Sequence, residues 1–149
     1  MELVETAAPG ASLEGVTAEL REAHPERQIV SDIAVDVPAR RDAAHLQQLL
    51  SNLLANALSH GVASAPVRVR ARVDGEDVDV EVHNEGEPIP ANRLDKAFEP
   101  FWRRTASREG LGLGLYICSQ IVRSHGGRLS VASSAEHGTS FVARLPILA

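Results

Sequence analysis

The chain has 149 residues, 44% of them hydrophobic and 23% charged, a balance that suits one globular domain over residues 1–149 and excludes a disordered tail. A formal charge of −5 leaves no general basic footprint, which argues against nucleic acid or an anionic membrane as a partner. Cys118 is its single cysteine, so an internal disulfide and a multi-thiolate metal site are excluded, and a reducing, cytoplasmic compartment is expected.

No apolar run approaches the ~20 residues that cross a bilayer, and the first residues lack a signal peptide's basic-then-apolar layout. After a lead-in over residues 1–25, Ser12 is expected to cap a short helix with Leu13, Val16 and Leu20 on one face, ended by His24-Pro25. A strand is predicted over about Gln28 to Ile33. Asp42 then opens a helix to about Ser59, with Leu46, Leu49, Leu50, Leu53, Leu54, Ala57 and Leu58 at helical spacing and Gly61 as its stop.

From Val67 to Val82 the pattern becomes alternating around Asp74-Gly75, a strong hairpin signal. A turn centred on those two residues sets Arg72 opposite Asp77, Arg70 opposite Asp79 and Arg68 opposite Glu81, with Val69 on Val80 and Val67 on Val82. The Val face must then lie on helices. An irregular stretch from Asn84 to Gly110 follows, broken by Pro88, Pro90 and Pro100; loops of that length in a compact domain are usually functional. A second helix is predicted from about Gly112 to Ser124, and two strands close the chain, over about Arg128 to Ser133 and Thr139 to Leu145. This order implies one sheet covered on one face by helices.

Gln48, Asn52 and Asn56 recur every four residues and so share one stripe of a Leu-rich helix. Amides are hard oxygen ligands of the kind Mg²⁺ accepts one or two of; a solvated polar helix face has the same composition. Gly110-Leu111-Gly112-Leu113-Gly114-Leu115 lets backbone N–H groups approach phosphate at a helix N-terminus, or serves as the hinge of a lid. No Gly-Lys-Ser/Thr follows it, so it is not a P-loop. Arg103, Arg104 and Arg108 with Lys96 form the basic neighbourhood of an acidic chain. Asn84 leaves a strand just before Gly86, where its carbonyl can accept from an adenine amine or simply build a turn. Six scattered histidines show no zinc-binding spacing.

Together these segments resemble the boxes of the GHKL ATPase superfamily in its histidine kinase form, over about residues 40–146. Leu49 to His60 is similar to the N box and Asn84 to Pro90 to the first glycine box. Ala97-Phe98-Glu99-Pro100-Phe101-Trp102-Arg103 is similar to the F box, Gly110 to Leu115 to the second glycine box, and Gly138-Thr139-Ser140-Phe141 to the last. The resemblance implies a Bergerat-type two-layer α/β sandwich: a mixed sheet of about five strands under about three helices. It implies a catalytic domain that binds ATP and Mg²⁺. Asn52 and Asn56 would hold the metal, with Gln48, Ser59 and His60 in the same cluster. Asn84 would meet adenine, Gly86, Ile89 and Thr139 would be among the nucleotide-binding residues, and residues 110–115 would line the phosphates. Arg103 or Arg104 would steady the γ-phosphate, and Phe98 would anchor the lid.

This sequence has Ser59 where the family often has Lys, Asn84 for its usual Asp, and Pro88 for its second Gly. No segment resembles the phosphoacceptor box, so the isolated chain is not expected to phosphorylate itself. The implied partner is a phosphoacceptor histidine domain, read in turn by a response regulator. A GHKL serine kinase of the anti-sigma type and a non-catalytic docking module are the alternatives.

Overall fold

The computed structural model describes residues 4–6, 9–35, 39–41, 43–94, 96–99 and 113–146. In chain order these form β1 (Val4–Thr6), α1 (Pro9–Ala23), β2 (Ile29–Ala34), β3 (Ala39–Arg41), α2 (Ala43–His60), β4 (Val67–Asp74), β5 (Asp77–Asn84), the one-turn α3 (Ala91–Leu94), α4 (Gly114–Ser124), β6 (Arg128–Ser134) and β7 (Gly138–Pro146). Five strands make one mixed sheet in the order β2-β4-β5-β7-β6, with β2 and β4 parallel and every other pair antiparallel. The expected two-layer α/β sandwich is present, with α1, α2 and α4 packed on one side of the sheet.

Alternation decides which side. Val67, Val69 and Ala71 of β4, Val78, Val80 and Val82 of β5, and Phe141, Ala143 and Leu145 of β7 all point into the helical layer and are buried. Onto them α2 lays Leu46, Leu49, Leu50, Leu53, Leu54, Ala57 and Leu58, each at most 6% exposed. At roughly 2 kcal/mol for each fully buried aliphatic side chain, this one helix supplies a large share of the driving force for folding. α1 adds Leu13 and Val16, and α4 adds Leu115, Cys118, Ile121 and Val122.

The hairpin forms, but not in the predicted register. Its turn is Gly75-Glu76, with Gly75 at φ 63°, so Asp74 faces Asp77, Val73 faces Val78, Arg72 faces Asp79, Arg70 faces Glu81 and Val69 faces Val82. Moving the turn by one residue slides the pairing by two, which leaves every side chain on its predicted face. The hydrophobic pattern therefore could not choose between the two registers. The neighbouring strand bears on the choice: Arg144 of β7 donates hydrogen bonds to Asp74, Asp77 and Asp79 at 3.0 to 3.2 Å, which makes an Asp opposite an Asp tolerable. Arg72 is also committed outside the hairpin, to the carboxylate of Asp32 on β2, and that bond holds Asp32 below the usual carboxylate range.

Two further differences are small. The first helix opens at Pro9 rather than Ser12, since proline tolerates a helix's first turn where no N–H partner is needed. The two-stranded sheet of β1 and β3 was not foreseen, because strands of three residues are too short for alternation to register. Asp42, predicted to open α2, lies outside the described residues.

Candidate functional site

The second long helix delivers its C-terminal half to the ends of two other elements. Asn52 Nδ2 donates to the Gly114 carbonyl at the start of α4, at 3.5 Å. One helical turn away on the opposing element, the Cys118 thiol donates to the Leu49 carbonyl at 3.7 Å. Burial pushes that thiol up to about 12, which the hydrogen bond with Asn52 only partly offsets. α2 and α4 therefore run antiparallel, and Asn52 of the amide stripe meets the α4 N-terminus. The N-cap residue of α4 is Leu113, which gives the helix no side-chain cap, as suits a helix end that receives an anion.

Asn56, one turn further along α2, has a buried Nδ2 with no hydrogen-bond partner among the described residues. Asn84 has a buried Oδ1 in the same condition. Asn84 is 1% exposed, and its Nδ2 reaches only the Glu85 carbonyl, at 3.5 Å. An unsatisfied buried polar atom costs about 1–3 kcal/mol, so two of them at one end of a well-packed core call for a ligand-based explanation.

The backbone around Asn84 is unusually close. A Cβ on Gly61, just past α2, would stand 3.0 Å from the Asn84 Cβ, and one on Gly86 would stand 3.2 Å from the His60 carbonyl oxygen. The Val62 amide donates to the Glu85 carbonyl at 2.7 Å, fastening the end of α2 to the end of β5. Gly138, at φ 75°, opens β7 in a left-handed conformation, and a Cβ there would overlap the Asn84 carbonyl oxygen. Beside it, Thr139 pairs with Asn84 across the sheet and is buried. Its hydroxyl lies 2.7 Å from that of Ser133, which also accepts the Ile89 amide at 2.8 Å. Ile89 is buried, and Phe98 packs edge-on against Phe141 with ring centroids 6.1 Å apart.

Of the predicted residues, the structure thus gathers Asn84, Gly86, His60, Ile89 and Thr139 at the ends of α2, β5 and β7, and sets Asn52 against Gly114. Ser59 is exposed on the last turn of α2. Leu115 gives its side chain to the core, while Leu113 is half-buried. Gln48 lies elsewhere on α2's surface, lining a groove with Val16, Glu19 and Leu20 of α1. Arg103, Arg104, Gly110, Leu111 and Gly112 fall outside the described residues. Sequence reading missed Ser133 and Arg27; a serine in a strand and an arginine in a loop carry no local signal that the fold will bring them to Ile89 and to the end of α2.

A two-layer sandwich of this strand order, with buried amide atoms left unpaired at one end of its core, is matched by a family of nucleotide-binding ATPase modules. A family model described as histidine kinase-, DNA gyrase B-, and HSP90-like ATPase matches residues 41–149. The sensor kinase AfsQ2 of Streptomyces coelicolor is 42% identical over 114 residues, covering 74% of this chain and 21% of that protein. Among solved structures, the catalytic domain of histidine kinase ThkA, in a nucleotide-free form, superposes with a TM-score of 0.87 at 27% identity, covering 99% of this chain and 97% of that one. Full-length ShkA in complex with AMPPNP matches with a TM-score of 0.81 at 27% identity, covering 98% of this chain and 32% of that one. The chain belongs to the histidine kinase-, DNA gyrase B- and HSP90-like ATPase family, as an ATP-binding catalytic module of the histidine kinase type. It spans between 13% and 33% of the length of the curated relatives it matches.

Proposed function

We propose that this module binds Mg–ATP between α2, α4 and the ends of β5 and β7 and donates the γ-phosphate to a histidine on a helical phosphoacceptor domain. The observation that carries the reading is the pair of orphaned buried amide atoms, Asn56 Nδ2 and Asn84 Oδ1. Asn84 Oδ1 is an acceptor, which suits the exocyclic amine of adenine, and the glycines at 61, 86 and 138 let backbone close around it. Asn56 Nδ2 is a donor and suits a phosphate oxygen; a half-turn of its amide would present the oxygen to a cation instead.

With its Nδ2 engaged by Gly114, Asn52 keeps its carbonyl oxygen as a hard ligand, so Asn52 and Asn56 fit a magnesium ion that takes few protein ligands. The ion would supply charge neutralisation for the triphosphate. The chain's own part is positioning: Asn84 fixes the base, Asn52 and Asn56 the phosphates, and the uncapped start of α4 faces the negative charge. Imidazole nitrogen then attacks the γ-phosphorus, the bond to the bridging oxygen breaks, and ADP leaves with the electron pair. Within this reading Arg103 or Arg104 steadies the γ-phosphate and Phe98 anchors the lid beside Phe141.

Calorimetry with ATP, with and without Mg²⁺, tests this. Binding that strengthens with the metal in the native chain and loses that dependence in Asn52→Ala and Asn56→Ala is the expected result. Heat indifferent to Mg²⁺ would favour a docking module instead. The isolated chain is expected to form no acid-labile phosphohistidine on itself, yet to label a separately supplied phosphoacceptor helix pair.

A further inference from the structure

We infer that Arg27, in the link between α1 and β2, is a positioning residue for the adenine end of the site. The inference rests on the nucleotide reading above.

Three observations meet at this side chain. First, the half-buried Arg27 guanidinium donates Nη1 to the Leu58 carbonyl at 2.6 Å and Nη2 to the Val62 carbonyl at 3.4 Å. Leu58 lies in the last turn of α2, where carbonyls have no intrahelical partner and the dipole's negative end favours a cation. A planar fork spans two carbonyls four residues apart in sequence; an ammonium on a flexible stem does not hold both at a fixed angle.

Second, the link so clamped is the shelf under Asn84. The Gly61 amide donates to Ala57 and the Val62 amide to Glu85, both under 3.0 Å, and the backbone of Gly61 leaves only 3.0 Å between a hypothetical Cβ and the Cβ of Asn84. Gly86 rests against His60 and Val62 in the same way. Residues 60–62 are thus in direct contact with the backbone that carries Asn84 and Gly86.

Third, the Arg27 Nε–H is buried without a hydrogen-bond partner among the described residues. A half-buried side chain that leaves one buried donor unsatisfied is a poor choice for stability alone. Its use lies in the geometry that the other two donors impose. The consequence is specific: loosening this clamp blurs the base contact at Asn84 while leaving Asn52, against Gly114 at the other end of the stripe, in place.

The test compares the native chain with Arg27→Lys and Arg27→Met, titrating each with Mg–ATP and with Mg–tripolyphosphate, which has no base. Thermal melts and circular dichroism confirm folding. Mg–ATP affinity is expected to fall about tenfold in both variants, the low end of what removing a group behind the ligating shell costs, with tripolyphosphate affinity unchanged. Exchange of the Val62 amide hydrogen, measured without nucleotide, is expected to accelerate. Equal loss for both ligands, or ATP affinity unchanged in variants that fold, would overturn the inference and leave the nucleotide reading standing. Failure of the native chain to bind ATP would remove the reading itself, and the role of Arg27 with it.

Discussion

Asn84 buries a side-chain acceptor that no other described residue meets. A buried acceptor with no partner is a cost that the folded chain carries, and replacing it with an apolar group of similar size removes that cost without opening a cavity. Asn84→Leu is therefore expected to shift unfolding free energy by less than about 1 kcal/mol in urea titrations, while the preference for ATP over ITP, which lacks the exocyclic amine, falls about tenfold. A large stability loss with the preference intact would mean that Asn84 is structural. Cys118 offers a second prediction. Its folded value is raised from 9.0 to about 12, chiefly by burial, so folding favours the protonated thiol. That contribution is complete below about pH 9 and is lost as pH rises from 9 toward 12, where the unfolded chain gains a thiolate that the folded chain cannot form. Relative to Cys118→Ala, the native chain should lose up to about 1.4 kcal/mol of stability per pH unit above pH 9, measured by urea unfolding across that range.

Among the elements, α2 does two jobs on separate faces. Its leucines carry the core and Asn52 and Asn56 reach the proposed site, so damage to one face should be separable from damage to the other. Leu53 is fully buried, and Leu53→Ala is expected to cost about 2–5 kcal/mol of unfolding free energy with nucleotide affinity per folded molecule unchanged. Urea midpoints and calorimetry on the same samples check both halves. This helix was also the most legible element: predicted from Asp42 to about Ser59 and found at Ala43–His60, it needed no tertiary information, because a leucine stripe at helical spacing marks an amphipathic helix. The hairpin shows the opposite case. Val67 to Val82 announced two strands and the correct inward face, yet its register was fixed by Gly75 at the turn and by Arg144 from a strand sixty residues away.

At the level of the whole molecule, the sheet has one face covered by helices and one that is bare among the described residues. The bare face holds its strands in line through ion pairs that cross three of them: Arg144 of β7 reaches Asp77 and Asp79 of β5 and Asp74 of β4. These groups are partly exposed, so screening weakens each pair, and their joint effect is to offset repulsion among three aspartates. Arg144→Ala should lower the urea midpoint at low ionic strength, and the difference should shrink as salt is added; a difference indifferent to salt would assign Arg144's role to packing. The sequence by itself determined the two-layer class, the inward faces of every long element and the identity of the amide and glycine segments, because periodicity and glycine placement are local properties of the chain. Only the tertiary structure decided that Asn52 meets Gly114, that Asn84 ends with a bare buried oxygen, and that Arg27 reaches the end of α2. Those facts depend on where the ends of distant elements meet, and no local pattern encodes the distance between them.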